Sequence, residues 1–148
     1  MKSVKYRINS VKKSDVINHL NTCSDQFIPK LDSYVNIEAY SQKIFQKAIT
    51  FEAWCDKKLI GLVAIYIDIE NGFITNVSVD QKFKGFGVFR ELINLCFDFC
   101  KLMKIKKVEL DVNKRNEKVI EIYKHIGFEL SNEKKKDNSL VMFYKLNY

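Results

Sequence analysis

Val77-Ser78-Val79-Asp80-Gln81-Lys82-Phe83-Lys84-Gly85-Phe86-Gly87 is the stretch on which the fold turns. Its first three residues close a β-branched run over 73–79 that reads as a strand. Its last three set two glycines before an apolar pattern over 85–104, where Val88, Leu92, Leu95, Cys96, Phe99, Leu102 and Met103 recur at helical spacing. Arg90, Asn94, Asp98 and Lys101 fall on the opposite side. A strand that enters a helix through glycines exposes backbone N–H groups with no acceptor inside the helix, at the positive end of its dipole. A diphosphate can sit on such amides, and glycine lets the backbone come close because no Cβ intervenes. Lys82 and Lys84 add positive charge at the same place. The pattern is not a P-loop, since no Gly-Lys-Ser/Thr follows, and Arg90 stands where a dinucleotide fingerprint needs its third glycine.

Upstream, a strand is expected over 6–11, then a helix capped by Ser14 with Val16, Ile17 and Leu20 as its apolar side. A loop over 26–33 holds the single proline, and a looser helix covers 34–48. Strands over 50–55, 59–69 and 73–79, joined through Asp56-Lys57-Lys58 and Glu70-Asn71-Gly72, form an antiparallel meander. Downstream, Val108, Leu110 and Val112 alternate in a strand over 107–112. A helix over 116–126 stops at Gly127, and strands over 128–130 and 140–146 flank a polar segment over 132–138. Strand–helix–strand order demands one parallel pair, and the meander demands antiparallel ones. The expected fold is α+β, one domain over 1–148, with a mixed, mostly antiparallel sheet of about seven strands and about four helices.

Composition narrows the function. A chain of 148 residues that is 47% hydrophobic can bury a core without staples. The net charge of +7 attracts anions, whether nucleic acid, a phosphorylated cofactor or an anionic membrane, although most of the lysines read as a solvated surface. Cys23, Cys55, Cys96 and Cys100 show no CxxC spacing, so neither a zinc site nor any other metal is expected. No run is long and apolar enough to cross a bilayer, and the first residues lack a signal-peptide pattern. The default location is cytoplasmic.

The stretch 77–87 resembles the acetyl-CoA motif of the GNAT superfamily: a strand, Gln/Arg-x-x-Gly-x-Gly/Ala, then a helix. Lys82 occupies the Gln/Arg slot, a departure that matters little if phosphate is held by backbone. Asn116-Glu117-Lys118-Val119-Ile120-Glu121-Ile122-Tyr123-Lys124-His125-Ile126-Gly127-Phe128 is similar to a second hallmark of that family, an Asn, a Tyr seven residues on, and a closing Gly-Phe. Taken singly, Asn116 reads as an N-cap, Tyr123 as a core aromatic beside Val119, Ile122 and Ile126, and Gly127 as a helix stop. Their joint occurrence after the glycine loop carries the resemblance, which covers the second half of the chain.

The resemblance implies an N-acetyltransferase that uses acetyl-CoA as cosubstrate. Strands 73–79 and 107–112 would splay to admit the pantetheine arm, with Val77, Ser78 and Val79 lining it. The amides of Lys84, Gly85, Phe86, Gly87 and Val88 would hold the pyrophosphate beside Lys82, and Asn116 would bond the arm. Tyr123 would be the catalytic acid for the departing thiolate. The base stays open: 73–79 holds no carboxylate, Thr75, Asn76 and Ser78 could order a water chain, and Glu38, Glu70, Glu109 and Asp111 are the carboxylates that could reach the site. His125 reads as a surface residue. The acceptor pocket would draw on 27–40 and 132–144, with Tyr34, Tyr40, Phe143 and Tyr144 as an aromatic wall. A small primary amine is the expected acceptor. A protein or peptide N-acetyltransferase is the alternative. So is a basic nucleic-acid-binding domain without catalysis, resting on Lys104-Ile105-Lys106-Lys107 and Lys134-Lys135-Lys136, although nucleic acid is disfavoured because no recognition motif accompanies these runs. No membrane partner is expected, and a homodimer is left open.

Overall fold

The computed structural model describes residues 3–134 and 138–146. The chain runs β1 (Lys5–Ile8), α1 (Lys13–Cys23), α2 (Ile37–Lys47), β2 (Ile49–Cys55), β3 (Lys58–Asp68), β4 (Asn71–Val79), α3 (Val88–Leu102), β5 (Lys107–Asn113), α4 (Glu117–Ile126), β6 (Glu129–Lys134) and β7 (Ser139–Lys145). One seven-stranded sheet has the order β1-β2-β3-β4-β5-β7-β6. Among the described residues only β4 and β5 pair in parallel. This is the mixed α+β sheet with four helices that the sequence implies.

Both faces of the central strands are covered, which explains why β3 is an almost unbroken apolar run. Val63 and Ile65 face a core shared with α3 and α4, whereas Leu62 and Ala64 face a smaller core under α1 and α2. Gly61 is where α3 seats on the sheet. A Cβ there would lie 2.9 Å from Val88 Cγ1 and 3.1 Å from both Ala53 Cβ and Leu92 Cδ1.

The β2–β3 turn has Asp56 and Lys57 both at positive φ (50° and 61°), the geometry that matches strand twist in a two-residue hairpin. The β3–β4 turn differs from expectation. The chain reverses at Ile69 and Glu70, with Ile69 at φ 52°, and Gly72 lies inside β4. Gly72 is there for packing, since a Cβ would come 2.7 Å from Ile65 Cδ1.

Helix ends and faces need correction too. Ser14 does not cap α1; the Lys12 N–H donates to the Asp15 carboxylate at 2.8 Å, so the cap is supplied from inside the first turn. The segment 26–33 is less irregular than expected, since short 3₁₀ turns form at Ser24–Gln26 and Leu31–Ser33. On α3 the buried arc is Val88, Leu92, Ile93, Cys96, Phe97 and Cys100. Leu102 falls off that arc and is 82% exposed, and Met103, 55% exposed, follows the last turn. On α4, Ile122 also points outward.

Candidate active site

The parallel ladder between β4 and β5 is short. It pairs Asn71 with Lys107, Gly72 with Val108, Phe73 with Glu109 and Ile74 with Leu110, and then stops, although β4 runs on to Val79 and β5 to Asn113. The cause is local. Ala64 opposes Asn76 and Ile65 opposes Ile74, so Thr75 is an extra residue on β4. A bulge bends its strand and sharpens the twist. From Thr75 onward β4 stays bonded to β3 and bares its other edge, which is the splaying expected between these strands.

At the far end of that edge lies the glycine loop. The Asp80 N–H donates to the Ile60 carbonyl at 2.8 Å, and the Asp80 carboxylate accepts the Lys82 N–H at 3.0 Å, pinning a 3₁₀ turn over Gln81–Phe83. Gly85 and Gly87 take φ of 89° and 78°, and Gly87 is the N-cap of α3. The first helical bond runs from the Glu91 N–H to the Gly87 carbonyl at 3.1 Å. The amides of Gly85, Phe86, Gly87, Val88, Phe89 and Arg90 have no acceptor. The Lys84 amide, which belongs to the expected set, closes the turn on the Gln81 carbonyl at 3.3 Å instead. A Cβ at Gly85 or Gly87 would meet nothing within 4 Å, so the space over these amides is open. Free amides, a helix N-terminus and the exposed Lys82 and Lys84 together fit the diphosphate of a coenzyme.

Helix α4 packs near the first turn of α3, where the Tyr123 ring lies 6.1 Å from that of Phe89. Asn116 sits at the N-cap position of α4, yet its side chain makes no capping bond and has no partner, so capping does not account for it. Tyr123 is buried. The Gly127 and Phe128 amides both donate to its carbonyl, at 3.2 and 2.9 Å, and Gly127 at φ 122° makes that reversal accessible. Its ring meets Phe128 edge-on at 5.3 Å and Phe89, in the first turn of α3, at 6.1 Å. Burial pushes the phenol well above its usual range, so it stays protonated at neutral pH.

On the α1/α2 face, the bulge carries a polar cluster. The Tyr40 hydroxyl donates to the Thr75 carbonyl at 2.6 Å and lies 2.9 Å from Thr75 Oγ1. Burial raises Tyr40 to about 12, with the Tyr66 and Tyr34 hydroxyls and the Asn76 amide also acting on it. Beside this cluster the Ser78 hydroxyl donates to Asn76 Oδ1 at 2.8 Å, and His19 Nε2 is 2.9 Å from Ser78 Oγ. His19 is held neutral by burial, its pKa lowered to about 4. Cys23, one turn along α1, is raised to about 12 by burial. His19 and Tyr66 escaped the sequence reading. The signal for His19 was present, because it falls within the buried Val16, Leu20, Cys23 stripe of α1.

The other expected residues separate. Tyr40 joins the cluster, and Tyr34, 58% exposed, acts on it only electrostatically. Phe143 pairs with Glu109 in register, so Tyr66, Phe73, Glu109 and Phe143 form one row across four strands. Tyr144 is not part of that wall. It stacks on Phe97 at 4.5 Å in the α3/α4 core, next to Gly127. Glu38, Glu70 and Glu109 pair with Lys13, Lys106 and Lys107 at 3.4, 3.0 and 2.7 Å, and of these three only Glu109 borders the end of the ladder. Asp111 follows on the splayed part of β5, and His125 is exposed. Part of the Lys134-Lys135-Lys136 run lies outside the described residues. Among the described residues no cluster of His, Cys, Asp and Glu is arranged to hold a metal, and no helix is long and apolar enough to cross a membrane.

Comparison with known proteins agrees with this architecture. The Acetyltransferase (GNAT) family profile matches residues 15–128. The chain belongs to that family, and it is an acetyltransferase that draws on acetyl-CoA. Solved structures share the fold over nearly their whole length. An acetyltransferase from Streptococcus agalactiae superposes with a TM-score of 0.80 at 18% identity, over 99% of this chain and all of that one (100%). The PaiA N-acetyltransferase of Thermoplasma acidophilum, solved with coenzyme A, gives 0.77 at 14% identity over 97% of this chain and 99% of that one. The ribosomal-protein-S18-alanine N-acetyltransferase of Escherichia coli gives 0.77 at 13% over 97% and 96%. No curated protein matches by sequence.

Proposed function

We propose that this chain acetylates a primary amine of a small molecule by direct attack. The observation that carries the reading is the run of acceptorless amides from Gly85 to Arg90 at the end of the bared β4 edge, on a helix whose Phe89 ring lies 6.1 Å from that of Tyr123. The amides would hold the diphosphate, with Lys82 and Lys84 adding charge. Val77, Ser78 and Val79 would line the arm, and Asn116 would bond it from α4. Acetyl-CoA supplies an activated carbonyl on a thioester. Backbone N–H groups of the bared edge would stabilise negative charge on that oxygen. Tyr123 would hold the proton for the departing sulfur, as a phenol protonated at neutral pH can. The partly buried polar cluster at Tyr40, Thr75 and Asn76 offers contacts that suit a small acceptor. Four buried cysteines, none of them in a disulfide, suit a reducing, cytoplasmic setting.

The test is a panel of primary amines and peptides with acetyl-CoA, read as release of free thiol, beside calorimetry with coenzyme A. Turnover of small amines but not peptides supports the reading. Turnover of peptides alone would move the chain to the protein-acetylating branch, and absence of binding heat would remove the cofactor assignment.

A further inference from the structure

The bulge cluster contains groups that lack partners. Asn76 is only 3% exposed, and its Oδ1 is taken by the Ser78 hydroxyl, which is itself held against His19. That arrangement leaves Asn76 Nδ2 buried with no acceptor, and the Tyr66 hydroxyl, buried on the neighbouring strand, has no partner either. Leaving such donors unmade inside a protein is unfavourable, so the site calls for a group that accepts hydrogen bonds. The Tyr40 hydrogen is already committed to the Thr75 carbonyl. Lys43 Nζ stands 5.1 Å from the centre of the Tyr66 ring, adding a positive charge at the rim. Two neutral donors and one ammonium match the lone pairs of a carboxylate better than those of a single water. The cluster also adjoins the stretch of β4 that loses its β5 partner, the edge along which an acceptor nitrogen must arrive.

We infer that the acceptor is an amino acid or a molecule of that pattern, a primary amine with a carboxylate a few atoms away, and that Asn76, Tyr66 and Lys43 bind the carboxylate. This rests on the acetyl transfer proposed above and names its substrate class. His19 and Ser78 act as positioning residues: they orient the Asn76 amide so that its N–H groups, not its oxygen, face the ligand.

The experiment uses the full chain, with the common L-amino acids and their decarboxylated amines as paired probes. At least one amino acid should be turned over far faster than its decarboxylated partner. Asn76→Leu should raise KM for that amino acid by roughly tenfold to a hundredfold, as expected for losing a hydrogen bond to a charged group, with kcat nearly unchanged. Asn76→Asp, which keeps the shape but sets a negative charge against the carboxylate, should reverse the preference toward the decarboxylated amine. Lys43→Met should raise KM and Lys43→Arg restore it. The inference is overturned if decarboxylated amines are preferred by the unaltered protein, or if the preference survives in Asn76→Asp. It is equally overturned if a crystal of the acceptor complex keeps only a water between Asn76 and Tyr66. Coenzyme A binding without turnover of any probe would end the acceptor assignment and leave the cofactor site standing.

Discussion

His19 Nε2 lies 2.9 Å from the Ser78 hydroxyl, tying α1 to the part of β4 that has left its parallel neighbour. Burial lowers the His19 pKa to about 4, whereas an unfolded histidine titrates near 6.5. Between those values the unfolded chain binds the extra proton, so stability is full above about pH 6.5 and is lost as pH falls through about 4. The loss is on the order of 3 kcal/mol. Urea titrations at several pH values across this window should show it, and His19→Gln should flatten the slope. An equal slope in that variant would place the acid sensitivity elsewhere.

Gly85 and Gly87 both sit at left-handed φ with open space beyond them. Alanine at either position costs about 1–2 kcal/mol of backbone strain and sets a methyl group over the free amides. Coenzyme A affinity should fall by roughly tenfold or more in Gly85→Ala and in Gly87→Ala. Calorimetry that found wild-type affinity in both would detach the loop from the cofactor.

Tyr123→Phe keeps the ring against Phe89 and Phe128 and removes only the hydroxyl. If that hydroxyl protonates the leaving sulfur, turnover should fall by about a hundredfold or more. Coenzyme A affinity should stay within a small factor of wild type, because the amides that hold the diphosphate are untouched. A normal rate would return Tyr123 to the core.

Gly61 lets α3 lie against β2 and β3. Gly61→Ala pushes a methyl group onto Val88 and Leu92 in a filled core, a change that typically costs about 1–3 kcal/mol. Because Val88 opens the helix whose first turn carries the free amides, the variant should also weaken coenzyme A binding. Denaturant midpoints and calorimetry report the two effects separately.

Ile69, 91% exposed and at φ 52°, is a β-branched residue where the hairpin asks for glycine or asparagine. Ile69→Gly should stabilise the protein by about 1 kcal/mol, a rise in melting temperature of a few degrees. No change would mean that the neighbouring turn relaxes in solution.

The parts legible in the sequence are those with local causes. Two glycines before an apolar helical pattern, and Gly127 after another, announce their backbone conformations directly. The opening of the sheet follows from the family resemblance, but its cause does not, because a bulge at Thr75 exists only as a mismatch between two strands. The β3–β4 turn falls earlier in the chain than Gly72 suggests for a related reason: Gly72 answers to the Ile65 side chain across the hairpin rather than to its own φ. Phe143 and Tyr144 look alike in sequence. They part company because neighbouring positions on a strand face opposite ways, and the register that decides the face is set by distant residues.

The unpaired side of β4 has one more consequence. Strand flanks left bare on the outside of a sheet invite other chains to add to them, which is a common start of aggregation. Here the vacancy is internal, with β5 on one side, α1 and α2 below and α3 and α4 above, so a foreign sheet has no approach to it. Only something slender and flexible can thread in and take up the main-chain groups. The same strand departure that creates a binding surface therefore also screens it from the partners that would make it a liability.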